Sequence, residues 1–342
     1  MIKQNTETAV IILNWNGIDW LKQFIPILIK NTESKDADLI VADNASSDQS
    51  VEYLKTNQPE IQLIILDKNY GFAEGYNKAI EQISHPFSIL LNSDVEVSKA
   101  WVLPLIAQLK EKRNTVACQP KILDFKDKTK FEYAGASGGF IDYLGYPFCR
   151  GRLFNSLETD HGQYDKPISV FWATGACLAI KTDVYKEVGG LDSNFFAHME
   201  EIDLCWRLKS RGYDIFVVPT SKVYHVGGGT LSKISPKKTY LNFRNNLLIL
   251  YKNLPDSKLN KILFYRLMLD GVAGVEMLLT GKANHMFAII KAHIHFYKMK
   301  SSYRAKRSDN LKACKKTNIP EILSKSIVLE HFLKRRKFYS DL

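Results

Sequence analysis

The sequence predicts an α/β protein with an open sheet whose strands are joined by helices. Two observations carry this. Short apolar runs alternate with helical patterns through the first half of the chain, as in βαβ units. Acidic groups and one histidine also recur just past apolar runs: Asp43 to Asp48, Asp94, the cluster Glu200, Glu201 and Asp203, and His225. The carboxyl ends of strands in an open α/β sheet face the ligand crevice, so polar groups recurring there suggest one site assembled from distant segments.

Taken in order, AVIILNW reads as a buried strand and IDWLKQFIPILIKNT as a helix, with Pro26 an awkward residue in its middle. DLIVAD, IQLIILD and FSILLN are further strands, separated by the helices SVEYLKTNQ and GFAEGYNKAIEQI. WVLPLIAQLKEKR is helical, with Trp101, Leu105 and Leu109 at i, i+4 spacing. From about Cys118 to Pro167 the pattern loosens into a long irregular or β-rich insertion, and long insertions in compact domains are often functional. VFWATGACLAIK resumes a strand, and TDVYKEVGG is a helix closed by glycine. The acidic helix follows, then YDIFVVP and KVYHV as strands, and the chain from Thr239 reads mostly helical.

The net charge of +11 is unevenly placed. Residues 256–342 carry 18 Lys and Arg against 7 Asp and Glu, while residues 1–255 carry 29 of each. A basic tail on a neutral body suggests an anionic partner: membrane lipid, nucleic acid or an acidic protein. Phe264, Leu267, Met268 and Leu278 mix with Lys and Arg there, as in interfacial helices, although the same residues could pack on the body. Five scattered cysteines without CxxC spacing argue for a reducing compartment and against a zinc site. The first ten residues lack the shape of a signal peptide, and no stretch reaches the roughly 18 clean apolar residues of a membrane span. These features predict a cytoplasmic protein, peripheral to the membrane at most.

Each polar group has a plain structural role to set beside a chemical one. Asp43 could accept hydrogen bonds from a base or ribose, or simply cap the turn NASSD. Gly71 and Gly75 open a helix whose N–H groups could approach a diphosphate. Asn92-Ser93-Asp94 follows FSILL, and a carboxylate there suits a hard divalent cation or a turn. On the acidic helix Glu201 shares the apolar face of Cys205 and Leu208, whereas Glu200, Asp203 and Arg207 occupy another. A partly desolvated carboxylate is more basic, which makes Glu201 the candidate general base. His225 precedes Gly227, Gly228 and Gly229 and could join Asp94 in a mixed N/O site for Mn²⁺ or Mg²⁺.

Together, VIILNWNG, DNASSDQS, NYGFAEGYN, LLNSDVEV, the TGACLAIK to CWRLKSRGY segment and VYHVGGGT resemble the family 2 glycosyltransferases, and within them the rhamnosyltransferase-like bacterial branch. The resemblance covers residues 8–255 and reaches weakly into YLNFRNNLLILYKNLP. It implies a GT-A fold: two abutting Rossmann-like halves, about 1–117 for the nucleotide-sugar and 118–255 for the acceptor, sharing one mixed central sheet. A basic helical extension would occupy 256–342. It implies a dTDP- or UDP-sugar donor, with dTDP-L-rhamnose favoured, and a saccharide or lipid-linked acceptor at the inner membrane face. Donor binding falls to Asn14, Asp43, Asn69, Gly71, Asn92 and Ser93, and Mg²⁺ or Mn²⁺ binding to Asp94 and His225. The acceptor side takes Trp172, Gly175, Glu200 and Asp203, and Glu201 is the base. Asn92 stands where many members have Asp, and Glu200-Glu201 replaces a Glu-Asp pair. Nucleic-acid binding has no motif to support it, and NWNGIDW lacks the basic glycine-rich signature of a sugar nucleotidyltransferase.

Overall fold

The computed structural model describes residues 3–227 and 235–342. Its first part is a run of βαβ units: β1 (Thr8–Asn14), α1 (Ile18–Asn31), β2 (Asp38–Asp43), α2 (Ser50–Asn57), β3 (Gln62–Ile65), α3 (Gly71–Glu81) and β4 (Phe87–Leu91). The near-continuous apolar runs form strands here because β1, β2 and β4 are covered on both faces. Pro26 does not end α1. It lies on the exposed side of the helix, where the hydrogen bond it removes is readily replaced by water.

β5 (Val95–Val97), α4 (Val102–Glu111) and the long β6 (Thr115–Asp124) follow. The expected insertion then builds a small separate sheet of β7 (Gly139–Asp142), β8 (Pro147–Cys149), β9 (Arg152–Leu153) and β10 (Ser156–Leu157). β11 (Ile168–Ser169), β12 (Cys177–Lys181), α5 (Thr182–Glu187), α6 (Glu200–Ser210) and β13 (Asp214–His225) return to the main sheet. The runs YDIFVVP and KVYHV are one strand, whose register shifts between Val218 and Lys222, beside Pro219.

The main sheet runs β3-β2-β1-β4-β12-β6-β13-β11, with β5 paired to β13. β1, β2, β3 and β4 are mutually parallel. β12 is antiparallel to both β4 and β6, and β13 is parallel to β6. Hence β1, β2, β4, β6 and β13 all point one way. Asn14, Asp43, Asp94 and His225 therefore reach the same edge of the sheet.

Four helices follow: α7 (Pro236–Asn253), α8 (Asp256–Leu279), α9 (Ala283–Met299) and α10 (Arg304–Ala313). The stretch 256–342 is not a detachable tail. Its β14 (Ile322–Leu323) pairs with β7, Lys306 Nζ lies 2.6 Å from Asp192, and Glu321 meets Lys209 Nζ at 2.8 Å. Among the described residues no helix is long and apolar enough to cross a membrane.

Candidate active site

At the ends of β1 and β2, Asn14 Nδ2 donates to Asp43 Oδ2 at 3.0 Å, and Ser46 N–H donates to Asp43 Oδ1 at 2.8 Å. Each carboxylate oxygen thus keeps acceptor capacity after closing the turn. The buried Asn14 Oδ1 beside them has no protein partner. Asn44, which the sequence reasoning passed over, ties this turn to α3. Its Nδ2 donates to Asn69 Oδ1 and to the Gly71 carbonyl, both at 3.0 Å, and its Oδ1 accepts from Tyr70 N–H at 2.9 Å. Gly71 sits at φ +76°, a conformation that favours glycine. Gly75 has another purpose than the expected approach to a diphosphate. A Cβ there would come within 2.8 Å of Leu13, so this glycine lets α3 press on β1.

Asp94 occupies the turn between β4 and β5, and β5 pairs Val95 with His225 of β13. That pairing brings Asp94 Oδ1 to 3.2 Å from His225 Nε2. A third group, not anticipated from the sequence, is Glu132: its Oε2 lies 3.3 Å from His225 Nδ1 and is 2% exposed. Burial alone would lower the imidazole pKa, but the two carboxylates prevail and push it up to about 10. Gly228 and Gly229, expected to admit a ligand backbone here, lie outside the described residues. Asn92 and Ser93 are half-buried, and Asn92 N–H donates to the Ala176 carbonyl at 3.0 Å.

The donor set fits a divalent cation. Neighbouring ligands of an octahedral ion with bonds of about 2.1 Å lie about 3 Å apart, close to the Asp94–His225 separation. Occupancy would require the imidazole to lose its extra proton. Among the described residues no cluster of three or more His, Cys, Asp or Glu is arranged to hold a metal. Two side chains would leave most of the shell to phosphate and water, as Mg²⁺ prefers.

The start of α6 is held by an unusual loop. Phe196, His198 and Met199 all have positive φ (67°, 68° and 74°), which is uncommon for residues with side chains and clusters at functional sites. α7 holds the loop in place. Asn245 Nδ2 donates to the carbonyls of Phe195, Ala197 and His198 at 3.1, 3.0 and 2.7 Å, and Arg244 reaches the Phe195 carbonyl at 3.0 Å.

Every residue of α6 is buried except Glu201, which reverses the expected contrast between an inward Glu201 and an outer face with Glu200. Glu201 is half-buried, and its Oε2 is enclosed without a partner. Burial pushes its pKa up to about 7. Glu200 is deeper, its Oε2 likewise unpartnered, and burial and the neighbouring Glu201 hold it well above the usual carboxylate range. Gly175 lies against this position: a Cβ there would meet Phe72 at 3.5 Å and Glu201 Cβ at 4.0 Å. Through Asn92 and Ala176, the end of β4 adjoins the start of α6.

Two assignments to the acceptor side do not hold. Trp172 is a core residue, 3% exposed, with its ring over Gly139 and its Nε1–H donated to the Phe140 carbonyl at 2.9 Å. Asp203 is fully buried and bonded by Arg207 Nε at 3.0 Å, Lys252 Nζ at 2.8 Å and Asn253 Nδ2 at 3.2 Å. Both serve packing. A cavity of about 700 Å³ between α6 and the C-terminal helices is lined by Trp206, Asn253, Ile262 and Ile319 and includes no candidate site residue.

The mixed central sheet with one polar edge and the helical C-terminal part give the chain a GT-A type fold. The chain belongs to glycosyltransferase family 2, whose family model matches residues 9–189. It is 23% identical over 297 residues to the low-salt glycan biosynthesis hexosyltransferase Agl10 of Haloferax volcanii, covering 84% of this chain and 90% of the relative. It is 24% identical over 232 residues to the N-acetylglucosaminyl-diphospho-decaprenol L-rhamnosyltransferase of Mycobacterium tuberculosis, covering 63% and 75%. In fold it is similar to residues 1–349 of S. aureus TarS in complex with UDP-GlcNAc, at TM-score 0.57 and 16% identity over 89% of this chain and 88% of that one. GalNAc-T7 with UDP, GalNAc and Mn²⁺ is similar at TM-score 0.55 and 17% identity, over 72% of this chain and 47% of that chain.

Proposed function

We propose that this protein transfers a sugar, with inversion at the anomeric carbon, from a nucleoside diphosphate donor to a hydroxyl of a saccharide or lipid-linked saccharide in surface polysaccharide synthesis. Glu201 is the observation that carries this. It is the one position of α6 that is not fully buried, one of its carboxylate oxygens, Oε2, has no hydrogen-bond partner, and burial raises its pKa to about 7. A base with that pKa is ionised enough at neutral pH to take a proton and basic enough to pull it from a hydroxyl. The acceptor oxygen attacks the anomeric carbon as Glu201 removes its proton, and the nucleoside diphosphate leaves from the opposite face. No covalent intermediate is required.

Asn14 and Asp43 receive the nucleoside, and the Asn69–Gly71 turn, held by Asn44, lies beside it. Asn92 and Ser93 line the donor at the end of β4. Asp94 and His225 would hold Mg²⁺ or Mn²⁺, with the Glu132 carboxylate 3.3 Å from the far nitrogen of the imidazole, where it would favour the ring orientation that faces the ion. When bound, such a cation would supply electrostatic stabilisation for the charge that grows on the leaving diphosphate. GalNAc-T7, similar in fold, is solved with Mn²⁺. The favoured donor is dTDP-L-rhamnose. Likeness to the mycobacterial rhamnosyltransferase supports it, and the acceptor in that relative's name is carried on a lipid.

A panel of nucleotide sugars, assayed for hydrolysis with Mn²⁺, tests the donor. dTDP-L-rhamnose should be turned over fastest, a faster UDP-hexose would reassign the sugar, and no turnover of any would reject the activity. The cation is tested by titrating nucleoside diphosphate with and without Mn²⁺. Asp94→Ala and His225→Ala should each weaken the metal-dependent part of binding, and unchanged metal dependence in both would remove the shared ion.

A further inference from the structure

α8 buries Leu259, Ile262 and Leu263 at its start but turns two charged side chains inward further along. Its buried stripe includes Arg266 and Asp270, 2% and 1% exposed, which face the body of the protein. There Asp270 accepts from Tyr146 OH at 2.8 Å and lies 3.0 Å from His293 Nε2, while Arg266 donates to the Leu144 carbonyl at 3.1 Å. The opposite face is apolar and open. Phe264, Met268, Val272, Val275 and Leu279 follow one another at three- and four-residue steps and are 55% to 81% exposed. α9 does the same with Phe287, Ile290, Ile294 and Tyr297, each about half exposed or more. Scattered exposed apolar residues are ordinary, but two lines of them on paired helices mark a surface that something covers.

We infer that the outward face of the α8–α9 hairpin lies in the headgroup and upper acyl region of an anionic bilayer. Charge decides between lipid and a second copy of the chain. Exposed Lys258 and Lys261 stand at one end of the α8 stripe, beside exposed Asp256, whose charge Arg307 meets at 2.6 Å, and exposed Lys282 stands at the other, with exposed Glu276 between. A basic border around an apolar centre matches anionic headgroups around acyl chains. A second copy laid on this face in either direction would place lysine against lysine, because both ends are basic. The hairpin, residues 256–299, carries six Lys and Arg against three Asp and Glu, a net +3 of the +11 found in residues 256–342.

The surface is also tied to the candidate site. Thr239 Oγ1 and Tyr240 OH of α7 meet His285 Nδ1 and His295 Nδ1 of α9 at 2.8 and 2.7 Å. The same helix α7, through Arg244 and Asn245, holds the loop that precedes Glu200 and Glu201. Docked lipid and a lipid-linked acceptor would then share one frame. The purpose of the docking rests on the glycosyl-transfer proposal; the docking itself does not.

Vesicle co-sedimentation of the full chain separates the two. Wild type should pellet with phosphatidylcholine vesicles containing phosphatidylglycerol and far less with phosphatidylcholine alone. Val272→Glu/Val275→Glu should lower the bound-to-free ratio at least about tenfold, because a carboxylate replaces an inserted side chain twice. It should leave thermal unfolding and nucleoside diphosphate binding unchanged, both positions being exposed. Lys258→Glu/Lys261→Glu/Lys282→Glu should lose the preference for phosphatidylglycerol. Equal pelleting of wild type and the valine variant would overturn the proposal, as would wild type remaining in solution with anionic vesicles. Sedimentation of wild type as a dimer that the valine variant splits would assign the face to a second copy instead.

Discussion

Asp203 and Glu201 stand two positions apart on α6, and their surroundings differ completely. Asp203 is enclosed by Arg207, Lys252 and Asn253, each within hydrogen-bond reach. Glu201 has a buried oxygen, Oε2, without a hydrogen-bond partner, and burial pushes its pKa up to about 7. The same functional group is spent on stability in one place and left unspent in the other. A buried carboxylate oxygen without a partner destabilises the fold, and the proposed role of Glu201 as the base would account for its place beside Gly175, under a loop with three positive-φ residues.

The largest structural effect should come from the satisfied partner. Asp203→Asn leaves Arg207 without its carboxylate partner in the interior, while Lys252 keeps Asp192 at 2.6 Å, and breaking a buried pair typically costs about 3–5 kcal/mol. Denaturant unfolding should show a loss of that order, with the per-molecule rate of the remaining folded enzyme little changed. Asn245→Ala should come next. It removes the donors to three carbonyls that hold the strained loop and should cost about 1–3 kcal/mol. Its distinguishing mark is a fall in kcat larger than that of an equally destabilising change elsewhere in α7, such as Ile249→Ala.

The smallest effect is a pH dependence of opposite sign to that of an ordinary ion pair. Glu200 and Glu201 hold protons in the folded chain that the unfolded chain releases near 4.5. Between about 4.5 and about 7 these two groups bind more protons in the folded state, so their contribution to stability falls as pH rises. Relative to wild type, Glu200→Gln should grow more stable across that window and match it below. A difference between Glu200→Gln and wild type that does not grow across the window would show that some unseen group satisfies the pair.

Part of this is visible in the sequence for a simple reason. Parallel strands covered on both faces are continuous apolar runs, so the pattern of residues places their ends, and with them Asp43, Asp94 and His225. Glu132 and Asn245 escape such a reading. Glu132 comes from the insertion, whose short strands leave no period to follow, and Asn245 acts on a loop 47 residues away through backbone carbonyls. Helical spacing puts Glu201 and Glu200 on different faces correctly, but it cannot tell that α6 is buried on nearly all sides. Trp172 misleads because a tryptophan near a strand end looks the same whether it faces a sugar or lies on Gly139. The exposed apolar residues of α8 are legible as a mixture with charge; that Arg266 and Asp270 are the ones turned inward is not.

The central claim is that Glu201 is the base, and single-turnover transfer from the preferred donor by Glu201→Gln and Glu200→Gln tests it most directly. Glu201→Gln should lose roughly two to four orders of magnitude in rate while binding donor as wild type does, and Glu200→Gln should lose clearly less. A Glu201→Gln enzyme within a few-fold of wild type, or a Glu200→Gln enzyme that is the slower of the two, would contradict the account.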